Sequence, residues 1–416
     1  MATAPVIEVN PENEWRLESP EPEGWARTAR PGQTAKRKYF MVSSDTHLNT
    51  PSQLFRERLD ARFHHKLPRI EVRDGQKFMV QEDGRAQRIP DLTLEGEDLV
   101  RTRAGGDNRH EIDLNGTVAL DRIRDQTLDG VDAELIFPGG QALLCYASPD
   151  KDYVRAQIRI WNDWAMEICA PYRKQCMPTA MLLTADIAES IRELERVAKL
   201  GYRVLSLPCK PVWGPPNVDD VNYNLPVMDP LWAAIQDHDM AIAFHISTGM
   251  DPRMARGNGG AVINYVVHSH TPTIEPIVNM CASGVFERFP KLRAGTIEAD
   301  AGWVPWMLQS MDESYRKHHM WVRPKLKALP SEYYREHCFA TFMEDRAAIE
   351  LCESFGLQNN LVWANDYPHH EGSWPHSGQA VERTLGNLVS EETRAKLLGL
   401  NAARIFGFEV PAEYLD

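Results

Sequence analysis

Residues 361–370 read Leu-Val-Trp-Ala-Asn-Asp-Tyr-Pro-His-His, an apolar run that leads straight into Asp366 and then into turn-forming and imidazole residues. This pattern is typical of a buried parallel strand that delivers one carboxylate to the rim of a barrel. Residues 39–47 (Tyr-Phe-Met-Val-Ser-Ser-Asp-Thr-His) have the same form and end on Asp45 and His47. Two such strand ends, far apart in sequence, predict a metal site that forms when they are brought together.

The composition is that of an ordinary globular protein, with 416 residues, 43% of them hydrophobic and 25% charged. A net charge of -13 argues against nucleic acid or an anionic membrane as the main partner, because both would repel the chain. The seven cysteines are scattered without a CxxC pair, which indicates reduced, buried thiols in a cytosolic, cytoplasmic protein. Neither a signal peptide nor an apolar run of membrane-spanning length is visible.

Short apolar segments alternate with longer amphipathic ones from residue 39 onward. Residues 187–200, for example, have apolar side chains at helical spacing and stop at Gly201. We predict an α/β fold, a distorted (β/α)8 TIM barrel. An open doubly wound sheet is the competing architecture, although no Gly-rich phosphate loop follows the first strand. The predicted strands are residues 39–44, 133–137, 176–183, 203–207, 241–246, 292–298, 338–343 and 361–365.

The chain divides into an arm, a barrel and a tail. Residues 1–38, rich in proline and glutamate, are predicted to form an extended N-terminal arm. Residues 39–408 form the metal-dependent barrel and residues 409–416 a C-terminal tail. The charged segment 48–116, between the first two strands, is too long for a simple loop and is predicted to be an insertion over the barrel mouth. The arm and the insertion favour a homo-oligomer, a dimer or tetramer.

Acidic and imidazole residues follow several of the predicted strands, where the functional groups of a parallel barrel gather. Asp45 and His47, two apart in a strand, point to the same face and can reach one ion. Imidazole and carboxylate are suitable donors for Zn²⁺, Mn²⁺ or Fe²⁺. Taken singly, His245 is also explained as a core histidine and Asp366 as a turn residue, but neither explanation accounts for their convergence. The residues at these positions are Asp45, His47, His245, Glu298, Asp300, Asp366, His369 and His370.

Several motifs carry a resemblance to a known family. They are Ser44-Asp45-Thr46-His47 with Pro51, residues 129–138 (Asp-Gly-Val-Asp-Ala-Glu-Leu-Ile-Phe-Pro), residues 161–164 (Trp-Asn-Asp-Trp), residues 229–232 (Asp-Pro-Leu-Trp) leading to Phe244-His245, and residues 363–375. On these the chain resembles the amidohydrolase superfamily, in the amidohydrolase-related (amidohydrolase 2) branch that includes aminocarboxymuconate-semialdehyde decarboxylase-like enzymes. The resemblance runs from residue 39 to residue 408.

The resemblance implies one divalent metal ion with four protein ligands, zinc first, with manganese or iron as alternatives. By position these ligands are Asp45, His47, His245 and Asp366. In the family the aspartate of the last strand often doubles as a general base toward metal-bound water, which gives that role to Asp366.

Glu298 marks a departure from the family pattern. Many members have a histidine after the sixth strand that assists catalysis, and here Glu298 stands at that place, shortly before residues 302–305 (Gly-Trp-Val-Pro). Glu298 is therefore predicted to be an additional ligand, a general acid or base, or a group that orients a ligand. His369, three residues past Asp366, is a further catalytic candidate.

Four residues are candidates for substrate contact. Arg253 and Arg256 lie in a long segment after the fifth strand and are able to hold a substrate carboxylate in a bidentate pair. Trp303 and Trp374 are candidate walls of an apolar pocket. The alternatives are a solvated loop for the arginines and ordinary core packing for the tryptophans.

These residues lead us to expect a metal-dependent hydrolase that acts on a small cyclic or aromatic molecule, at an amide, lactone or similar bond, through a metal-activated water. Asp366 is the expected base and Glu298 the expected acid. The alternative is a nonoxidative metal-dependent decarboxylase of an aromatic carboxylic acid, a lyase, in which the ring carbon is protonated as CO₂ leaves. A hydratase and a non-enzymatic metal-binding barrel are the remaining readings.

Overall fold

The computed structural model describes residues 39–51, 53–82, 84, 86–89, 118–212, 221–248, 261–369 and 372–414. The predicted arm, residues 1–38, lies outside the described residues. Each of the eight predicted barrel strands is found with bounds shifted by a few residues. The strands are β1 (Val42–Asn49), β2 (Arg69–Arg73), β3 (Gln76–Val80), β4 (Ala86–Ile89), β5 (Ala133–Gly139), β6 (Cys176–Pro178), β7 (Ala180–Met181), β8 (Val204–Leu207), β9 (Ala241–His245), β10 (Arg293–Ile297), β11 (Cys338–Phe342) and β12 (Leu361–Trp363).

The barrel strands form two parallel arcs, one in the order β1-β5-β6 and the other in the order β7-β8-β9-β10-β11-β12. Thr179 lies between β6 and β7, and its amide donates to the Ile136 carbonyl at 2.9 Å, so one predicted strand continues across both arcs. At the other junction Thr46 bridges Tyr367 in parallel. We call this junction, residues 45–47 with 365–367, the β1–β12 seam. With both junctions joined, the fold is the predicted distorted (β/α)8 barrel.

Helices follow the strands and cover them from outside. The helix at Ile187–Leu200 begins at a side-chain cap, because the Asp186 carboxylate accepts a hydrogen bond from the Glu189 amide at 3.0 Å. Gly201 ends that helix at φ 99°, which a residue without Cβ adopts freely. The helices are α1 (Leu54–Arg58), α2 (Val118–Leu128), α3 (Gly140–Leu143), α4 (Lys151–Cys169), α5 (Ile187–Leu200), α6 (Asp229–Asp237), α7 (Ala261–Ala282), α8 (Val285–Arg288), α9 (Val304–Lys317), α10 (Pro330–His337), α11 (Arg346–Cys352), α12 (Ser377–Leu385), α13 (Glu391–Ala395) and α14 (Asn401–Phe406).

Apolar side chains fill the end of the barrel opposite the predicted ligands. Inward-facing residues of the strands pack there with the C-terminal part of the chain. Phe406 of α14 meets Phe339 edge-on, with ring centroids 5.2 Å apart. Tyr414, in the predicted tail, packs on Phe40 at 5.5 Å. Because this apolar cluster fills one end of the barrel, a polar site is expected at the carboxyl ends of the strands.

The described part of the insertion forms its own antiparallel sheet, in the order β2-β3-β4. It is tied to the barrel through Glu82, which accepts from Lys66 at 2.5 Å and from the Ser148 hydroxyl at 2.7 Å. Lys66 also pairs with Asp150, at the start of α4, at 3.1 Å. Residues 90–117 lie outside the described residues, so the insertion over the barrel mouth stays a prediction. No described helix combines the length and the apolarity needed to cross a lipid bilayer.

Candidate metal centre

The end of β1 places Asp45 and His47. Its pairing with β5 shifts between Ser43 and Thr46, so β1 carries a bulge at the point where Asp45 lies. Bulges re-aim side chains and are frequent beside active sites. Asp45 and His47 are each only 1% exposed, and the Asp45 Oδ1 atom lies 3.6 Å from the His47 Nε2 atom. Both side chains therefore reach one point inside the mouth, as the sequence predicts.

His245, the last residue of β9, turns its imidazole toward the same point. Its Nδ1 lies 2.8 Å from the Ile246 carbonyl, and a carbonyl only accepts, so Nδ1 must donate the hydrogen. In the neutral ring the lone pair is then on Nε2, which lies 3.1 Å from the His47 Nε2. Fixing the tautomer through the outer nitrogen is the usual arrangement of a metal-binding histidine.

Asp366 and Glu298 complete the group from two other strand ends. Both have left-handed backbones, with φ 52° at Asp366 and φ 55° at Glu298. This conformation is costly for residues with a Cβ and is concentrated at functional sites. Asp366 Oδ1 lies 3.4 Å from His47 Nε2, and Glu298 Oε2 lies 3.1 Å from His245 Nε2 and 3.6 Å from His47 Nε2. Four strands thus contribute to one cluster.

The cluster contains more acidic groups than the structure neutralises. Three carboxylates and three imidazoles meet, and their ligand atoms fall into two overlapping groups, each within 4.8 Å. The buried Oδ1 atoms of Asp45 and Asp366 have no hydrogen-bond partner among the described residues. Buried charge without a partner is expensive, and imidazole with carboxylate is the donor set of Zn²⁺, Mn²⁺ and Fe²⁺. These residues therefore fit a divalent metal ion.

The pKa values of the cluster show the same crowding. Burial and the nearby Glu298 carboxylate raise the pKa of Asp366 well above its ordinary value. Burial, together with the neighbouring His369 ring, lowers the pKa of His47 to about 4. For His245, burial opposes the charged form, but the Asp45 and Glu298 carboxylates outweigh it and raise the pKa. A divalent cation at this point would compete with protons for the same atoms.

Two described side chains of the cluster are partly exposed. Asp366 and His245 are 4% and 2% exposed, whereas Glu298 is 25% and His369 22% exposed. His369 Nδ1 lies 3.1 Å from Asp366 Oδ2, and its ring stacks on His47 with centroids 4.1 Å apart. A small molecule would therefore approach between Glu298 and His369.

The structure does not bring every predicted site residue into this cluster. Trp303 donates its indole N–H to the Asp300 carbonyl at 2.9 Å and meets Tyr334 edge-on. Trp374 donates to the Asp125 carbonyl at 3.3 Å and packs against Tyr367, beside the β1–β12 seam. Arg253, Arg256 and His370 lie outside the described residues. Substrate contact by Arg253, Arg256, Trp303 and Trp374 stays a prediction.

A set of polar residues on α2 and directly after it was not recognised from the sequence. Four of them recur at the spacing i, i+3, i+4, i+7 and are buried at the β1–β12 seam: Arg122, Asp125, Gln126 and Asp129. That spacing marks one face of a helix. Because the residues are polar, the face reads from sequence as solvent-exposed. The signal that identifies it is the spacing combined with a complementary acidic residue on the next strand, Glu134.

The fold and the cluster together define a (β/α)8 barrel with a metal-binding mouth. The chain belongs to the amidohydrolase family, whose model (Amidohydro_2) matches residues 108–408. The family resemblance seen in the sequence is thus confirmed.

Solved structures of similar fold include 5-carboxyvanillate decarboxylase from Sphingomonas paucimobilis, with 21% identity, a TM-score of 0.61, and coverage of 89% of this chain and 100% of that one. A second is 2,6-dihydroxybenzoate decarboxylase from Rhizobium, with 18% identity, a TM-score of 0.61 and coverage of 89% and 99%. A third is a dihydroxybenzoic acid decarboxylase from a Polaromonas species, with bound manganese and the inhibitor 2-nitroresorcinol (18% identity, TM-score 0.58, coverage 91% and 99%).

These comparisons correct the expectation of a hydrolase, which is wrong as the leading reading. The solved structures that share the fold are mostly decarboxylases of aromatic acids. The physical reason for the error is that a divalent ion on the same ligands serves either reaction, by activating water or by binding substrate oxygens. The ligand motif alone therefore does not select between them.

Proposed function

We propose that the protein is a metal-dependent, nonoxidative decarboxylase of an aromatic carboxylic acid, with Asp45, His47, His245 and Asp366 as metal ligands. The metal site in this proposal is supported by the buried cluster at the mouth of the barrel, in which the described side chains of Glu298 and His369 are partly exposed. The names of the solved structures with the same fold support the reaction class. Manganese is present in several solved structures of similar fold. With zinc it is the leading candidate metal, since carboxylate-rich sites suit manganese.

In this proposal the residues of the chain bind the acid and deliver a proton. When bound, the ion supplies a positive centre that holds and polarises the oxygen atoms of the substrate. Asp366 carries the proton: its Oδ2 contacts His369, and the partly exposed His369 connects it to solvent. Asp366 delivers the proton to the ring carbon bearing the carboxylate. The carbon–carbon bond then breaks, its electron pair restores the aromatic ring, and CO₂ leaves.

Product analysis in heavy water tests this reaction. We expect metal-loaded protein in D₂O to convert at least one ortho-hydroxylated benzoic acid to the corresponding phenol, releasing one CO₂ and placing one deuterium on the vacated carbon. Mass spectrometry of the phenol and trapped CO₂ measure both. The matched control is the methyl ester of the same acid, which offers no free carboxylate. Hydrolysis of the ester or of cyclic amides and lactones, without CO₂ from any acid, would reject the proposal.

We further propose that Glu298 is a fifth protein ligand, supported by its distances to both imidazoles. Glu298→Gln keeps the shape of the side chain but removes its charge. We expect Mn²⁺ affinity to fall about 10- to 100-fold, measured by competition with a chelator. If the affinity is unchanged while kcat falls, Glu298 acts on the substrate and not on the ion.

The same change at an acidic residue outside the site is the control. Glu193, which accepts from Asn162 at 2.8 Å and pairs with Arg196 at 2.7 Å, is buried elsewhere in the barrel wall. Glu193→Gln is expected to lower stability and to leave Mn²⁺ affinity unchanged.

The dimeric or tetrameric state and the cytosolic location stay predictions. Light scattering on the purified protein measures the oligomeric state.

A further inference from the structure

We propose that the buried polar face of α2 positions the metal ligands, and that Arg122 is its central positioning residue. The inference rests on the proposed metal site but not on the identity of the substrate. The face consists of Arg122, Asp125 and Gln126 of α2 together with Asp129, which directly follows the helix, and it contacts both sides of the β1–β12 seam.

Arg122 holds the β1 side of the seam. Its guanidinium is 3% exposed and forms a bidentate pair with Glu134 of β5, at 3.0 Å and 2.8 Å. The same group donates to the His47 carbonyl and, at 3.0 Å, to the Thr46 hydroxyl. It also lies 5.0 Å from the centre of the Tyr367 ring, across the seam. One side chain therefore touches a ligand residue, the strand beside it and the opposite strand end.

The other members hold the β12 side. Gln126 and Asp129 accept from the Asn365 amide at 2.8 Å and 3.2 Å, and Asp125 accepts from the Tyr367 hydroxyl at 2.7 Å. Asn365 also accepts from Ser43 of β1 at 2.7 Å. The residues on either side of Asp366 are thus both bonded to α2.

The polar face of α2 is buried at the β1–β12 seam, where the barrel strands have few backbone hydrogen bonds. A helix on a barrel ordinarily turns an apolar stripe to the strands, and a buried ion pair is not by itself more stabilising than apolar packing. Neighbouring barrel strands are otherwise joined by ladders of two or more paired residues. Between the described residues of the seam there is a single bridge with two flanking backbone bonds, His47 to Tyr367 at 2.7 Å and Asp366 to Asp45 at 3.1 Å. We infer that hydrogen bonds from the polar side chains of α2 hold the two strand ends of the seam in register, as a ladder of backbone hydrogen bonds does between the other strands.

The consequence concerns ligand geometry. Asp45 and His47 lie on one side of the seam and Asp366 on the other. Metal sites require their ligands within about half an ångström of the working arrangement, which neighbouring hydrogen bonds enforce. Loosening α2 would let the two sides shift relative to one another, so that fewer ligands reach the ion together.

Arg122→Met and Arg122→Lys test the inference. Methionine keeps much of the volume and removes all donors, whereas lysine keeps the charge but not the forked geometry. We expect Arg122→Met to weaken Mn²⁺ binding to the metal-free protein about 10- to 100-fold, and Arg122→Lys to restore part of the affinity. Chelator competition gives the dissociation constant, and the electron paramagnetic resonance spectrum of bound Mn²⁺ reports the altered ligand geometry.

Arg394→Met is the matched control. Arg394 is also 3% exposed, pairs with Glu382 at 3.1 Å and donates to the Gly386 carbonyl, among the C-terminal helices. We expect it to lower the melting temperature of the metal-free protein as Arg122→Met does, with Mn²⁺ affinity within about twofold of wild type. Equal affinity in wild type, Arg122→Met and Arg394→Met would overturn the inference.

Two further outcomes remain distinct. If Arg122→Met does not fold, Arg122→Lys decides by the same measurement: wild-type affinity and an unaltered Mn²⁺ spectrum overturn the inference, and weakened binding supports it. If the wild-type protein binds no divalent ion, the proposed metal site itself fails. Because binding is measured without substrate, failure of the decarboxylase proposal leaves this result unaffected.

Discussion

Replacing Asp366 with asparagine is expected to reduce kcat about 10²- to 10⁴-fold at saturating Mn²⁺, while the protein stays folded. Asparagine has the shape of aspartate and tolerates the left-handed backbone at φ 52°, so the turn after β12 is kept. It cannot carry the proton that the ring carbon requires, nor supply a negative ligand. Steady-state rates of CO₂ release measure the effect, with circular dichroism to verify the fold.

A carboxylate with a purely structural contact provides the comparison. Asp186 caps α5 by accepting from the Glu189 amide, and asparagine caps helices about as well. Asp186→Asn is expected to keep kcat within about twofold of wild type. Turnover by Asp366→Asn close to that of Asp186→Asn would remove Asp366 from the role of proton carrier.

Replacing His245 with alanine is expected to abolish metal binding. The purified wild-type protein should hold close to one divalent ion per chain after loading with Mn²⁺ or Zn²⁺, and His245→Ala well under a tenth of that. The change removes an imidazole whose lone pair is directed by the Ile246 carbonyl, and the three remaining carboxylates lose a neutral donor. Elemental analysis after gel filtration gives the stoichiometry.

His337 is the matched histidine. It is also buried, its Nδ1 also lies near a backbone carbonyl, that of Leu292 at 3.1 Å, and its ring stacks on Phe286 at 4.6 Å. His337→Ala should lower stability through lost packing and leave the metal content intact. A full complement of metal in His245→Ala would show that the cluster does not hold the ion.

Much of the barrel was predictable because most of its strands are short, largely apolar runs, and polar residues stand at the ends of those that form the site. Asp45, His47 and His245 lie at the ends of such strands and Asp366 follows another, and the structure places them in two overlapping groups of possible ligands that share His47 and Glu298. The place of Glu298 was predictable too, since it ends a strand, but its contacts with two imidazoles depend on how β10 sits beside β9.

The remainder depends on long-range packing. Arg122 and Asp129 look like ordinary surface residues of a charged helix, because their partners Glu134 and Asn365 are recognisable only once the seam is assembled. The reaction class was misjudged for a different reason. The ligands bind an ion, whereas the reaction depends on which substrate atoms contact that ion. The ligand residues in the sequence do not identify those atoms.

The β1–β12 seam also sets an order of events during synthesis. Ser43 and Asn365, which bond across it, are separated by 322 positions along the chain, and such distant pairings form late because loop closure must come first. When residues 39–300 have emerged from the ribosome, the nascent chain contains Asp45, His47, His245 and Glu298. It does not yet contain Asp366 or the β12 side of the seam. Stable binding of the ion should therefore follow the emergence of the C-terminal strands. Tight metal binding would then occur only after the barrel has closed.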